Sequence, residues 1–298
     1  MKEYVATIGM FDGVHRGHQF VLRQVVNVAH ERGMLSLAVT FDRQQPLLLP
    51  LDEKVRRLTA TGITRVEVLP FTNALKQMTA REFMQKVLRA QFNVKVLVTG
   101  YDNRFGHNRE EGYDDYVRYG RELGMEVVRL PAEGNICSSL IRQQLHQGHV
   151  SEAAALLGYP YTLKGIVGHG EHVGSTLGFP TANVIPDSGQ QLVPAPGVYA
   201  VLVRVDGELL SRGGMMNIGV RPTFGIHHTT LEVHIFHFNE DLYGHRLSVS
   251  FIARLRDERR FDDVDSLKLQ LRDDMRQSEE LLKGKTGAST RLNKKYKI

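Results

Sequence analysis

ATIGMFDGVHRGHQFV, residues 6–21, decides how the chain begins. A short apolar strand, residues 4–8, runs into a glycine-rich turn, and a helix is expected from about Gly17. Gly9 and Gly13 allow backbone angles and close approaches that a Cβ would forbid. A helix N-terminus presents unpaired N–H groups and the positive end of a dipole, so it attracts phosphate. His15 and His18, three residues apart, share one face of that helix start. Imidazoles close to neutrality become cationic beside a polyphosphate. Strand, glycine turn, H-x-G-H and helix together predict a site for a nucleoside triphosphate, with Gly9, Phe11 and Gly13 against the nucleotide.

Outward from this stretch, strands and helices alternate. Phe20, Val21, Val25, Val28 and Ala29 recur at helical spacing, and Gly33 stops that helix. LSLAVTF (35–41) reads as a strand buried on both faces. A helix is expected at 52–60 and a strand at 66–69. Thr79 and Glu82 form a capping box ahead of a helix to about Gln91. Further strands are expected at 94–100 and 125–130, and further helices at 113–123 and 138–146. Ser151 is expected to cap a short last helix that closes the domain near Gly158. Such alternation predicts a Rossmann-like parallel sheet with helices on both faces. Ligands then sit at the carboxyl ends of strands, where the turn 9–18 and the loop 100–109 both fall.

The bulk properties fit this reading. A chain of 298 residues with 42% hydrophobic residues has room for two domains. It shows no membrane-length apolar run and no signal-peptide pattern, and its one cysteine excludes an internal disulfide. A cytoplasmic location is expected. The net charge of +5 is modest, and much of the excess falls in residues 284–298. That stretch reads as a loose tail rather than a nucleic-acid arm, and no membrane partner is expected.

From about Pro160 the texture changes. β-rich runs separated by glycines follow one another, Asp206-Gly207 marks a hairpin, and 229–238 and 246–255 read as strands. This spacing predicts a small antiparallel β-barrel. Asp262 or Asp263 is expected to cap a final amphipathic helix with Leu267, Leu271, Met275, Leu281 and Leu282 on its buried stripe. The chemistry sits in the loops. GHGEHVGSTLGFPTAN (168–183) joins a glycine segment, whose amides suit phosphate, to Thr181 and Asn183, hard oxygen donors suited to Mg²⁺. Gly168, Gly170 and Gly178 are the expected nucleotide contacts. Glu232, on the strand TTLEVH, is placed to act as a general base. His227, His228, His234 and His237 are better read as exposed or packing residues than as a zinc site, because they divide between strand faces and no cysteine joins them.

TIGMFDGVHRGHQ resembles the signature of the adenylyltransferase module of prokaryotic bifunctional riboflavin kinase/FMN adenylyltransferases (FAD synthetases). The resemblance implies that His15 and His18 steady the ATP phosphates while an adenylyl group passes to FMN. GYDNRFG (100–106) resembles the family's G-x-D/N-F-x-F-G loop through Asp102 and Phe105. ICSSLIR (136–142) resembles its second phosphate motif, which would bring Ser138, Ser139 and Arg142 to the nucleotide. The family's T-F-x-P-H-P stretch appears here as TFDRQQP (40–46), without its histidine, and Asn103 stands where an aromatic residue is usual. These departures motivate an alternative: a riboflavin kinase whose N-terminal domain is catalytically weak or inactive.

The second half resembles the family's riboflavin kinase module, and GFPTAN (178–183) is the most specific match. The resemblance implies that Thr181 and Asn183 hold Mg²⁺ with ATP and that Glu232 deprotonates the ribityl 5′-hydroxyl. It also implies that Asn217, Arg256, Glu258 and Phe261 contact the flavin. The expected organisation is an FMN adenylyltransferase domain at 1–158 and a riboflavin kinase domain at 159–298. Riboflavin, FMN and ATP are the expected small-molecule partners, no nucleic acid is expected, and the oligomeric state is open.

Overall fold

The computed structural model describes residues 2–43, 47–131, 134–169, 177–223 and 226–285. Gly170 and most of the basic tail fall outside the described residues, as do the glutamines and proline of the off-pattern FDRQQP loop. The chain divides into two compact units, Met1–Ser138 and Ser139–Ile298. None of the described helices is long and apolar enough to cross a membrane.

The first unit is a five-stranded parallel sheet in the order β3-β2-β1-β4-β5. Its strands are β1 (Tyr4–Ile8), β2 (Leu35–Asp42), β3 (Arg65–Pro70), β4 (Val94–Thr99) and β5 (Glu126–Arg129). Because successive side chains point to opposite faces, the sheet has a core on each side. Ala6, Ile8, Leu37, Val39 and Leu97 pack with Phe83, Met84 and Tyr116 on one face. Val5, Ala38, Val96 and Val98 pack on the other with Leu22, Val25 and Ala29 of α1 (Arg16–Glu31) and Leu58 of α2 (Leu51–Ala60). The strand order reverses between β1 and β4, the switch point at which open α/β sheets take ligands.

The helix expected at 79–91 is two structures. The capping box of Thr79 and Glu82 is present and starts α4 (Ala80–Phe83), but Met84–Gln91 continues as a π-helix. The buried positions Ala80, Phe83, Met84, Val87 and Leu88 keep the three-and-four spacing of an α-helix, so sequence spacing could not reveal the π segment. A short α3 (Asn73–Gln77), capped by the Thr72 side chain, was not anticipated. After α5 (Tyr113–Leu123) comes α6 (Ser138–His146), which begins at the break between units. The break thus falls before the expected 158/159 boundary. The N-cap position of α7 (Val150–Leu157) is His149, whose side chain makes no capping bond, and not Ser151, whose hydroxyl donates to the Ile252 carbonyl at 3.3 Å. That bond ties α7 to the second unit's barrel.

The barrel closes through the strand order β10-β7-β6-β11-β8-β9. The strands are β6 (Thr162–Gly168), β7 (Ala182–Pro186), β8 (Gly197–Val205), β9 (Arg212–Thr223), β10 (Ile226–Ile235) and β11 (Arg246–Arg256). Asp206-Gly207 does form the β8–β9 turn, with Gly207 at φ 79°. The Asp263 carboxylate caps the last helix, α8 (Val264–Leu282), by accepting from the Ser266 N–H at 2.7 Å. The buried side of α8 is more polar than the expected stripe. Asp274, Ser278 and Leu282 are its buried residues, whereas Leu281 is exposed.

Candidate active sites

In the first unit the H-x-G-H spacing has a structural cause. His15 is the N-cap of α1, and its Nδ1 accepts the N–H of His18 at 3.3 Å. An N-cap side chain reaches the amide three residues on, so the spacing closes a cap. The two rings stack at 3.5 Å between centroids, and Phe11 meets His18 edge-on at 5.2 Å. His15 is almost fully buried, and burial lowers its pKa to about 4 against the raising effect of Asp102. Burial, and then the neighbouring His15, hold His18 well below the ordinary histidine value. In this fold the pair is therefore neutral rather than cationic at pH 7. With Nδ1 of His15 accepting, its proton belongs on Nε2. Nδ1 of His18 is buried with no partner among the described residues, and an unpaired acceptor costs less than an unpaired donor. Both rings thereby keep an Nε2–H donor for an incoming oxyanion.

The turn ahead of the helix is strained. Phe11 and Val14 take positive φ (48° and 36°), a region disfavoured for a β-branched residue, and Gly13 sits at 81°. A Cβ on Gly9 would stand 3.0 Å from the Phe11 ring, so that glycine lets the ring lie on the strand end. Side chains from several elements hold the turn. Thr40 Oγ1 donates to the Met10 carbonyl (3.1 Å), Gln19 Nε2 to the Val14 carbonyl (2.8 Å), and Ser138 Oγ to the Asp12 carbonyl (2.8 Å). The Asp12 carboxylate accepts from the Leu48 N–H at 2.9 Å.

The loop after β4 joins the same site, as the strand-end argument expects. Asn103 Nδ2 donates to the Ile8 carbonyl at 2.7 Å, so this off-pattern residue ties the two loops together. Asp102 is close enough to act on the charge of His15. Ser138 reaches the turn through Asp12, and Cys137 beside it is exposed. Ser139 and Arg142 follow on α6 in the second unit. Sequence reasoning missed Lys54 of α2, which is almost fully buried and donates to the Phe41 carbonyl at 2.7 Å and the Met10 carbonyl at 3.4 Å.

In the second unit, strand register assembles a row. Glu232 on β10 pairs directly with Asn183 on β7 and with Asn217 on β9. Directly paired residues project to the same face. Leu231 and Val233, on either side of Glu232, are buried on the opposite face. The row continues through Val198 to Arg256 of β11. Two positions along from Asn217, Gly219 pairs with Thr230. A Cβ built on Gly219 would stand 2.7 Å from Glu258 Oε1 and 3.0 Å from Thr230 Oγ1, so the missing side chain admits Glu258 onto the face that carries Glu232. Gly219 and Thr230 thus lie on the candidate face, and sequence reasoning did not single them out.

Thr181 immediately precedes β7, and Asn183 Nδ2 donates to the His169 carbonyl at 3.1 Å. That bond fixes the amide and leaves Oδ1 as the oxygen offered to a cation. The Asn183 amide oxygen, in register with the Glu232 carboxylate, and the Thr181 hydroxyl two residues before Asn183 are hard oxygens of the kind that suits Mg²⁺ beside phosphate. Gly168 ends β6 opposite Asn183, and Gly178 takes φ 84° before the Phe179-Pro180 step. His234 bonds the Pro180 carbonyl through Nδ1 at 2.8 Å, and His237 pairs with Glu279 at 3.2 Å. The side chains of His227 and His228 are outside the described residues.

Arg256 is committed within the protein. Its guanidinium grips Asp274 of α8 with contacts of 2.7–3.1 Å, and the carboxylate is 1% exposed. Gln270 donates to the same carboxylate at 2.6 Å and accepts from Arg259. The guanidiniums of Arg256 and Arg259 both lie over the Phe261 ring, at 5.8 and 4.7 Å. The segment that carries Glu258 and Phe261 is therefore hung on α8.

Comparison with known proteins finds two family models, one described as FAD synthetase over residues 1–139 and one described as riboflavin kinase over residues 157–282. A Listeria monocytogenes protein named bifunctional riboflavin kinase/FMN adenylyltransferase is 35% identical over 91% of this chain and 90% of its own length. Proteins of the same name are similar in Escherichia coli (36%, over 90% of this chain and 89% of that protein) and Bacillus subtilis (32%, over 92% and 91%). Among solved structures, a Streptococcus pneumoniae protein described as a macrolide-efflux protein superposes with a TM-score of 0.85. It is 32% identical and covers 93% of this chain and 94% of that one.

Proposed function

The chain belongs to the bifunctional riboflavin kinase/FMN adenylyltransferase family, and from that premise we propose how its residues divide the work. The protein phosphorylates riboflavin with ATP to give FMN, and it transfers AMP from ATP to FMN to give FAD and pyrophosphate. Residues 159–298 carry the first reaction and residues 1–158 the second. The order follows from the chemistry, because the FMN phosphate is the adenylyl acceptor.

In the kinase half, Glu232 takes the proton from the ribityl 5′-hydroxyl as that oxygen attacks the γ-phosphorus of ATP. The oxygens of Thr181 and Asn183 would hold Mg²⁺, which neutralises phosphate charge when it arrives with ATP. Asn217 and Glu258, on the face of Glu232, position the flavin. Arg256 acts through its grip on α8, keeping Phe261 and Glu258 over the site.

In the adenylyltransferase half, His15 and His18 donate Nε2–H bonds to the phosphates and stabilise charge on the leaving pyrophosphate, without shuttling protons. Gly9, Phe11 and Gly13 shape the turn against the nucleotide. Asp102 and Ser138 complete its contacts within the first unit. Riboflavin, FMN and ATP are cytoplasmic metabolites, and the protein is placed with them.

The observation that carries this reading is the alignment of Glu232 with Asn183 and Asn217 across three strands, in a unit separate from the capped histidine pair. A Glu232→Ala variant is expected to lose riboflavin phosphorylation by about 10²-fold or more while adenylylating supplied FMN within about twofold of wild type. Chromatographic assay of FMN and FAD measures both. Loss of both activities in a folded variant would overturn the division.

A further inference from the structure

We propose that Lys54 is a positioning residue for adenylyl transfer: its buried ammonium holds the Met10–Val14 turn in the geometry that sets His15 and His18. The inference rests on the assignment of that reaction to the first unit. Lys54 comes from α2, is 3% exposed, and bonds two backbone carbonyls, Phe41 near the end of β2 and Met10 in the turn two residues past β1. A lysine is rarely this buried, and an ammonium taken out of water without compensation is costly. Here two carbonyls and the fields of Asp12 and Asp42 surround it, offsetting part of the effect of burial on its charge.

What such a cation supports is the strained turn. Positive φ at Phe11 and Val14 is strained backbone that persists only where surrounding groups over-determine it. Lys54 and Thr40 share the carbonyl of Met10, the residue just before Phe11. Asp12, beside Lys54 in charge, lies inside the turn and is fixed through its own carboxylate by Leu48 and through its carbonyl by Ser138. Val14 closes the turn by donating to the Phe11 carbonyl at 3.1 Å, and His15 follows as the helix cap. A displaced Met10 carbonyl therefore moves the cap and the ring stack with it. Misplacement of groups by about 1 Å costs on the order of 10²-fold in rate.

The test uses the full-length chain, with the kinase reaction as an internal gauge of folded enzyme. Lys54→Met keeps most of the stem and removes the charge; Lys54→Ala leaves a space into which ethylammonium fits. Lys54→Met is expected to lower kcat for FAD formation from FMN by at least about tenfold while the KM for ATP changes less than about threefold and riboflavin phosphorylation is retained. Ethylammonium is expected to restore part of the FAD-forming rate to Lys54→Ala, with tetramethylammonium at equal ionic strength giving none. A second readout needs no turnover: the ¹⁵N imidazole signals of His15 and His18 in the ligand-free protein are expected to shift in Lys54→Met. Unchanged kcat with unchanged histidine signals would overturn the proposal, as would equal rescue by both amines. Shifted signals in a chain whose wild type makes no FAD would uphold the positioning role and overturn the catalytic assignment instead.

Discussion

The histidine pair makes acid sensitivity a property of individual residues. His15 titrates at about 4 in the folded chain against 6.5 in its ordinary state, so between these values the unfolded chain binds a proton that the folded chain refuses. Its contribution is fully present above pH 6.5 and is lost as pH falls towards 4, about 3 kcal/mol in all. The lowered His18 adds to the same slope. Urea denaturation at a series of pH values is expected to show this loss, and His15→Asn to flatten it. At the barrel, Gly219→Ala is expected to raise the KM for riboflavin with little change in melting temperature. The added methyl meets the flexible end of Glu258, which moves aside at little energetic cost. Candidates such as His15, Thr181 and Glu232 could be proposed from the sequence because motifs surround them. Lys54 was not, because it stands in a charged helix, LDEKVRR, whose composition describes a solvated face. Gly219 was not, because its importance is the room it leaves for a residue distant in sequence.

Among the elements, α8 shows where periodicity stops being informative. Its start was readable from the Asp263 cap, and Leu271, Met275 and Leu282 do pack against the barrel. The polar residues that share this side were not readable, because the burial of Asp274 depends on its partners Arg256 and Gln270, and Arg256 comes from a distant strand. Removing one member of a buried ion pair leaves the other charge uncompensated, at a cost of about 3–5 kcal/mol. Asp274→Ala is expected to lose stability on that scale by chemical denaturation and to weaken the kinase reaction, since the Glu258–Phe261 segment loses its anchor. Adenylylation of supplied FMN is expected to stay. The strands of the first unit were read nearly to the residue, as continuous apolar runs between turns. The π-helix at Met84–Gln91 was hidden because its buried residues, Met84, Val87 and Leu88, continue the α-helical spacing of Ala80 and Phe83.

The whole molecule pairs an open parallel sheet with a closed barrel, and both architectures follow from the rhythm of the chain: alternation first, then closely spaced strands. The position of the break was harder to see. α6 and α7 continue the alternating pattern of the first unit, while Ser151 on α7 bonds the second unit's β11. Each unit carries its own constellation, so FMN made by one chain should serve another. An equimolar mixture of Glu232→Ala and His15→Ala chains is expected to convert riboflavin to FAD after a lag in which FMN accumulates, followed by chromatography. FAD formation without free FMN would contradict exchange through solution. One feature turns the molecule into its own instrument. Cys137 is exposed, is the one cysteine of 298 residues, and adjoins Ser138, which bonds the strained turn. A thiol-reactive fluorophore thus has a single address on the native sequence, at the rim of the nucleotide turn. Its emission would follow ATP arriving there in real time, with no residue engineered in or out.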